Sequence, residues 1–240
     1  MSTRRDFLRA GGALVVAFRL DAQGPPGAAL QPGVPDMRQI DTWLAIHADN
    51  TATFYVGFCE LGQGNSTALL QIAAEELDMD IGQLRTVNLE TGATPNQGGT
   101  YSSASIARGG PQVRTAAAEA RLALLKMASA RLNAPVDELR VSKGVVTVVG
   151  DPKRLVIYGD LIGGKRFNLA FTGSAPTTPI ADYKVAGASV PRKDTQAKVL
   201  GEYGYMQYMR RPNMVHGRVV RPRGQRAYGV GAKIVSVSVR

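Results

Sequence analysis

Cysteine and histidine are scarce in this chain: Cys59 stands alone, and His47 and His216 are the two histidines among 240 residues. A single thiol excludes an internal disulfide and a protein-only thiolate metal cage within one chain. His47 and His216 each sit inside an alternating apolar segment with no second ligand at metal spacing. They read as strand histidines satisfied by packing or solvent, which gives zinc hydrolysis and Ser-His-Asp chemistry no foothold. Long apolar runs are missing as well. The run from Ala10 to Phe18 has about nine residues, against the ~20 that a bilayer-spanning helix needs. No Gly-Lys-Ser/Thr follows either Gly cluster, and no Gly-x-Gly-x-x-Gly follows a strand-like run, so Walker-type and dinucleotide loops are excluded.

What is present suits a globular chain. Hydrophobic residues make up 44% and mean hydropathy is −0.09, enough for a sizeable core in one large or two smaller domains. The formal net charge of +10 is concentrated late, with twelve Lys/Arg against three Asp/Glu between Ala181 and Arg240. A basic patch of this kind is one signature of nucleic-acid binding. Here the basic residues at Arg210-Arg211 and from Arg218 to Arg226 alternate with Pro, Gly and Val, and no aromatic stacking pattern recurs. A solvated or subunit-facing strand set is therefore expected, and no nucleic acid.

The amino terminus, Thr3-Arg4-Arg5-Asp6-Phe7-Leu8-Arg9 followed by a short apolar stretch, has the pattern of a Tat export signal. A basic amphipathic helix is the alternative. Ala22 to Pro35 reads as a flexible linker. Tat-type export carries proteins already folded, often around a cofactor, so a periplasmic location is expected.

Periodicity and turn chemistry place the elements. Trp43–His47 and Ala52–Phe58 form a predicted hairpin about Ala48-Asp49-Asn50-Thr51. Asn65 or Ser66 is placed to cap a helix running to Leu77, and Arg85 to Leu89 follows as a strand. Gly92 to Gly110 is a long polar loop. A helix from about Pro111 to Leu132 carries the stripe Val113, Ala117, Ala120, Leu124 and Met127, which reads as packing. A hairpin about Lys143-Gly144, a short element from Val156 to Ile162, and strands at Met214–Val220 and Lys233–Val239 complete the pattern. Ser174 to Ile180 is a Pro/Thr-rich connector and the best internal boundary.

Two segments carry chemistry. Glu60-Leu61-Gly62-Gln63-Gly64 lies between a strand and a helix start. Its glycines permit close backbone approach, and the helix start offers N–H groups and a positive dipole end suited to a phosphate or a polar heterocycle edge. A tight strand-to-helix turn explains the same residues equally well. Asn96-Gln97-Gly98-Gly99-Thr100-Tyr101-Ser102-Ser103-Ala104-Ser105 is dense in small hydroxyls and backbone donors, and reads as a functional loop or a disordered one.

In their order, strand, Glu60–Gly64, helix with Ala74-Glu75-Glu76-Leu77, strand, then Thr94-Pro95-Asn96-Gln97-Gly98-Gly99-Thr100, these segments resemble the molybdenum hydroxylases, the xanthine dehydrogenase and aldehyde oxidase family. The resemblance is strongest to Tat-exported large subunits of the isoquinoline 1-oxidoreductase and aldehyde dehydrogenase type. Gly109-Gly110-Pro111-Gln112, Tyr158 to Gly164 and Gly173-Ser174-Ala175-Pro176 fit the same order, and Ala197 to Pro222 looks like the opening of the family's hammerhead domain.

The resemblance implies an α+β fold, with a molybdopterin-binding domain of mixed sheets and helices followed by the start of an α/β-hammerhead domain. It divides the chain into signal and linker (1–35), a first molybdopterin-binding region (36–180) and an incomplete hammerhead (181–240). The implied cofactor is molybdopterin, as its cytosine dinucleotide. Gln63 would approach its molybdenum-proximal end, with Gly62 and Gly64 giving room. Ser103 and Ser105 match hydroxyl positions that bond the pterin or its phosphate, while Gly99, Thr100 and Ser102 shape the loop. Cys59 is implied to be no metal ligand. The implied reaction hydroxylates an aldehyde or N-heterocycle, a small-molecule substrate, with oxygen from water. Its carboxylate base belongs to a carboxyl-terminal motif that has no match here. Glu60 is not carried over as that base, nor are Glu75 and Glu76, which read as a solvated face and a packing edge. Expected partners are an iron–sulfur small subunit with two [2Fe–2S] clusters and a chain carrying the missing carboxyl-terminal half. Fragment, split-gene product and degenerate copy all remain open, the last as a non-catalytic binding or assembly protein.

Overall fold

The computed structural model describes residues 35–217, which fall into two compact units, the first ending at Lys193 and the second beginning at Asp194. The predicted export signal and linker, up to residue 34, lie outside the described residues, as do the predicted strand at Lys233–Val239 and everything from Arg218 onward.

The first unit is α+β, with two three-stranded sheets and helices between them. Strand β1 (Leu44–Ile46) pairs antiparallel with β2 (Ala52–Val56) across the predicted turn. Helix α1 (Asn65–Leu77) then returns the chain so that β3 (Leu84–Asn88) runs parallel to β2. Because β2 lies between its neighbours, every one of its residues is buried, and its sequence shows no polar alternation. His47, just past β1, bonds Thr53 on β2 through Nε2 at 2.8 Å, and partial burial holds its pKa below the usual histidine value.

Helix α1 spans the predicted residues, but its cap differs from expectation. The N-cap is Gly64, left-handed at φ +82°, and Asn65 turns its side chain elsewhere. A one-turn helix α2 (Ala104–Ala107) sits within the predicted loop, and the long helix α3 (Gly109–Leu132) starts two residues before Pro111. Proline is tolerated there because first-turn N–H groups have no intrahelical acceptor. The first residue packs closely: a Cβ on Gly109 would lie 2.3 Å from the Phe58 ring. The predicted stripe is buried at Val113, Ala117, Ala120 and Leu124, with Met127 packed at the core's edge. Strands β4 (Leu139–Ser142) and β5 (Val145–Val148) form the second hairpin, with Lys143 and Gly144 both at positive φ, as a two-residue type I′ turn requires. Strand β6 (Asp151–Ile157) begins five residues before the predicted element. Its exposed Pro152, Lys153 and Arg154 mark it as a sheet edge, and it leads directly into α4 (Tyr158–Ile162).

Residues 172–193 form an irregular strap fastened to the helices by buried carboxylates. Glu119 of α3 accepts the Thr172 and Gly173 N–H groups at 3.0 and 2.7 Å. Glu76 accepts Thr178 N–H at 2.8 Å, and Glu75 accepts three successive N–H groups, those of Lys184, Val185 and Ala186. Glu75 and Glu76 are 6% and 1% exposed, so the packing-edge half of the expectation holds and the solvated-face half is corrected: backbone donors, with Arg114 for Glu76, replace water. Thr67, Gln71 and Glu75 stand four residues apart on one face of α1, and all three bond the strap.

In the second unit, helix α5 (Thr195–Val199) is closed by an Asp194–Lys198 ion pair, and Tyr203, Tyr205 and Tyr208 pack edge to face. Met214–Gly217 shows no strand, and the rest of that predicted strand lies outside the described residues.

Candidate functional site

Parallel pairing of β2 and β3 puts their carboxyl ends on one edge of the sheet, and each strand is followed by one of the two chemistry-bearing loops. In open α/β sheets the carboxyl ends of parallel strands are the usual place for ligands. The loops are stitched together there. Gln97, 3% exposed, accepts Gly57 N–H at 2.8 Å and donates to Gln112 at 2.9 Å. Thr100 Oγ1 accepts Cys59 N–H at 2.8 Å. Asn65 donates to the Cys59 carbonyl at 3.1 Å and to Ser105 Oγ at 3.3 Å. The 92–110 segment is therefore an anchored loop, with Ala93, Thr94 and Gln97 buried beneath it.

The site residues divide into two groups. Thr100 and Ser105 spend hydroxyl lone pairs on the seam between the loops. Gly62, Gln63, Ser102 and Ser103 are exposed on the rim, with Gly64 and Gly99 half-buried behind it. Ser102 and Ser103 both adopt left-handed backbone, φ +52° and +55°, a conformation that costs a side-chain-bearing residue energy and turns the chain sharply. Gln63 folds back on its own loop: Oε1 accepts Leu61 N–H at 2.7 Å and Nε2 donates to the Cys59 carbonyl at 3.1 Å. One N–H and one lone pair of the amide are left over.

The start of α1 is not the open anion site its sequence suggests. Glu60 Oε1 accepts the N–H groups of Gly62 and Gly64, each at 2.9 Å, and Oε2 accepts Ser66 N–H at 3.1 Å. Desolvation raises the Glu60 pKa, but these bonds together outweigh it and hold the carboxyl below the usual carboxylate value. A carboxylate so fixed answers the helix dipole from within the chain.

The rim fits a neutral, hydrogen-bonding heterocycle edge. Its amide and hydroxyl groups both donate and accept, and a Cβ on Gly62 would meet nothing within 4 Å, so a ligand has room to approach the backbone. Arg108 adds a positive group, donating to the Gln97 carbonyl at 3.0 Å and lying over the Phe58 ring at 5.8 Å. Sequence reasoning missed Glu60, Asn65, Gln97 and Arg108 as site-forming residues. Among the described residues, no group of three His, Cys, Asp or Glu side chains converges to hold a metal ion.

Residues 22–210 match the family model described as a molybdopterin cofactor-binding domain. The chain is 36% identical over 221 residues to a nicotinate dehydrogenase subunit of Pseudomonas putida, covering 92% of this chain and 18% of that one. It is 27% identical to the beta subunit of isoquinoline 1-oxidoreductase from Brevundimonas diminuta, covering 90% of this chain and 33% of that one. A solved CO dehydrogenase from Oligotropha carboxidovorans overlaps 49% of this chain and 15% of its own, at 24% identity and a TM-score of 0.45. The chain belongs to the molybdenum-hydroxylase family and carries its molybdopterin cofactor-binding domain. It spans less than two thirds of the length of either curated relative.

Proposed function

We propose that this chain forms one side of a molybdopterin site in an enzyme that hydroxylates an aldehyde or N-heterocycle with oxygen drawn from water. The observation that carries this reading is the convergence of the two loops at the carboxyl ends of β2 and β3, held by the Cys59–Thr100 and Asn65–Ser105 bonds. Gln63 would meet the cofactor with its remaining N–H and lone pair, and Gly62 and Gly64 would leave it room. Ser103 would donate its hydroxyl proton from the second loop; the exposed Ser102 takes the hydroxyl role that the resemblance implied for Ser105, which is buried and bonded to Asn65, and Gly99 and Thr100 shape the backbone. When bound, the molybdenum centre supplies the two-electron oxidation. Arg108, beside the second loop, suits an anionic part of the cofactor, read here as the cytosine dinucleotide form.

Glu60 is a fixed anion and not a proton-transfer base, because its oxygens are committed to three backbone N–H groups and its pKa lies on the wrong side for accepting a proton near neutrality. The base, as the family resemblance implies, would belong to a second, carboxyl-terminal portion of the enzyme. Further parts of the reading are an iron–sulfur subunit that takes the electrons, a hammerhead domain opening at residue 181, and Tat-dependent export to the periplasm.

The test is to purify the chain alone and together with the reading frame that follows it, then assay bound molybdenum and CMP released by hydrolysis. Molybdenum with equimolar CMP is expected in the second preparation. Its absence from both removes the cofactor reading.

A further inference from the structure

We propose that Glu60 and Arg192 are positioning residues that hold the Gln63 loop in its outward-facing form, a role that rests on the reading of Gln63 as a cofactor contact. The loop has little rigidity of its own. Gly62 and Gly64 flank Gln63 at φ +102° and +82°, in the left-handed region where glycine is the unstrained residue and also the most mobile one. Gly62 and Gln63 are exposed, so packing does not fix them.

Two charged side chains supply the missing order, one taking backbone N–H groups and the other a backbone carbonyl. Glu60, its side chain 9% exposed, gathers the N–H groups of residues 62, 64 and 66. Arg192 Nη1 donates to the Gly62 carbonyl at 2.7 Å, and its Nη2 lies 3.8 Å from Glu60 Oε1. Both peptide groups flanking Gly62 are thereby engaged, and the Gln63 amide closes on a backbone already set. Arg192 is itself placed by its neighbour: Lys193 N–H reaches Thr67 Oγ1 at 3.1 Å, and Lys193 Nζ reaches the Leu84 carbonyl at 2.6 Å. The strap that follows the face of α1 through Glu75, Gln71 and Thr67 thus ends on the cofactor loop.

With Gly62 and Gln63 exposed and Arg192 partly so, the network contributes modestly to global stability and strongly to local order, which is the pre-organisation that lowers the entropic cost of binding. The role is therefore separable from folding.

The experiment uses the full 240-residue chain. In the wild type, the amide resonances of Gly62, Gly64 and Ser66 should titrate together with one apparent pKa below the ordinary glutamate value of 4.5. Independent titration of the three overturns the tether, and no variant is needed for that measurement. In Glu60→Gln and Arg192→Ala, hydrogen exchange at Gly62 and Gly64 should accelerate about tenfold or more, while amides from Leu69 to Leu77 keep their rates. Unchanged loop exchange, or equal acceleration along all of α1, contradicts a positioning role. Molybdenum content of the same variants, co-expressed with the following reading frame, should fall at least about fivefold. Loading that persists with the loop amides freed overturns the positioning role, whereas a wild type devoid of molybdenum defeats the cofactor reading and leaves the tether intact.

Discussion

The Asn65 amide nitrogen lies 3.3 Å from Ser105 Oγ, joining the first residue of α1 to the one-turn helix of the second loop across forty positions of sequence. Asn65 is 3% exposed and Ser105 9%, so neither group exchanges its partner readily for water. Asn65→Ala is expected to cost about 1–3 kcal/mol, because the Cys59 carbonyl and the Ser105 hydroxyl both lose a donor. Urea denaturation measures it. In the double variant with Ser105→Ala, the loss should be clearly less than additive. Full additivity would mean that the loops are not coupled through this bond.

Close backbone approach predicts a contrast among glycines. A Cβ on Gly57 would stand 1.9 Å from the Pro95 carbonyl oxygen, whereas one on Gly82 would meet nothing within 4 Å. Gly57→Ala should lose stability at or above the upper end of the ~1–3 kcal/mol typical of overpacking. Gly82→Ala should stay within ~0.5 kcal/mol. Thermal melts that rank the two alike would deny that the second loop lies over the end of β2.

Acid should loosen the strap. For Glu119, desolvation raises the pKa, but bonds from Thr172, Gly173 and Ala175 together outweigh it and leave the folded value depressed. A depressed carboxylate pKa contributes stability that is fully present above the unfolded value and is lost as pH falls through the folded one. Unfolding free energy should therefore decline as pH drops below about 4.5, with a shallower decline in Glu119→Gln. Identical pH profiles for wild type and variant would remove Glu119 from this role.

Glu76 of α1 and Arg114 of α3 form an ion pair beneath the strap, with Nε to Oε1 at 2.7 Å and side-chain exposures of 2% for Glu76 and 29% for Arg114. Arg114 Nη2 also donates to the Thr178 carbonyl. Arg114→Met leaves a buried carboxylate held by Thr178 N–H. The expected cost is about 2–3 kcal/mol, less than for a fully buried pair because the guanidinium keeps some water. Stability equal to the wild type would mean that the pair is replaceable by packing.

Much of the fold was legible wherever local chemistry decides it. The α1 span follows from apolar spacing, the Lys143-Gly144 turn from residues that accept positive φ, and the two site loops from their glycines and hydroxyls. What escaped was set by contacts distant in sequence. Thr67, Gln71 and Glu75 form a polar stripe that looks the same whether it faces water or a strap more than a hundred residues away. The close packing of Gly109 on the Phe58 ring joins segments far apart in sequence, and β6 lacks alternation because it is an edge strand. Within the site, the residue types on the rim were readable. The occupation of the helix start by Glu60 was not, since a carboxylate near a helix N-terminus signals stabilisation as readily as a vacant anion site.

The central claim is that the exposed rim donors hold molybdopterin. It is tested most directly by measuring molybdenum per chain in Gln63→Ala and in Ser102→Ala/Ser103→Ala, each co-expressed with the following reading frame. Because these side chains are exposed, melting temperatures should shift by no more than about 2 °C. Molybdenum content is predicted to fall several-fold in each, and further when the changes are combined. Wild-type molybdenum content in the combined variant would contradict the assignment of the rim as the cofactor's seat.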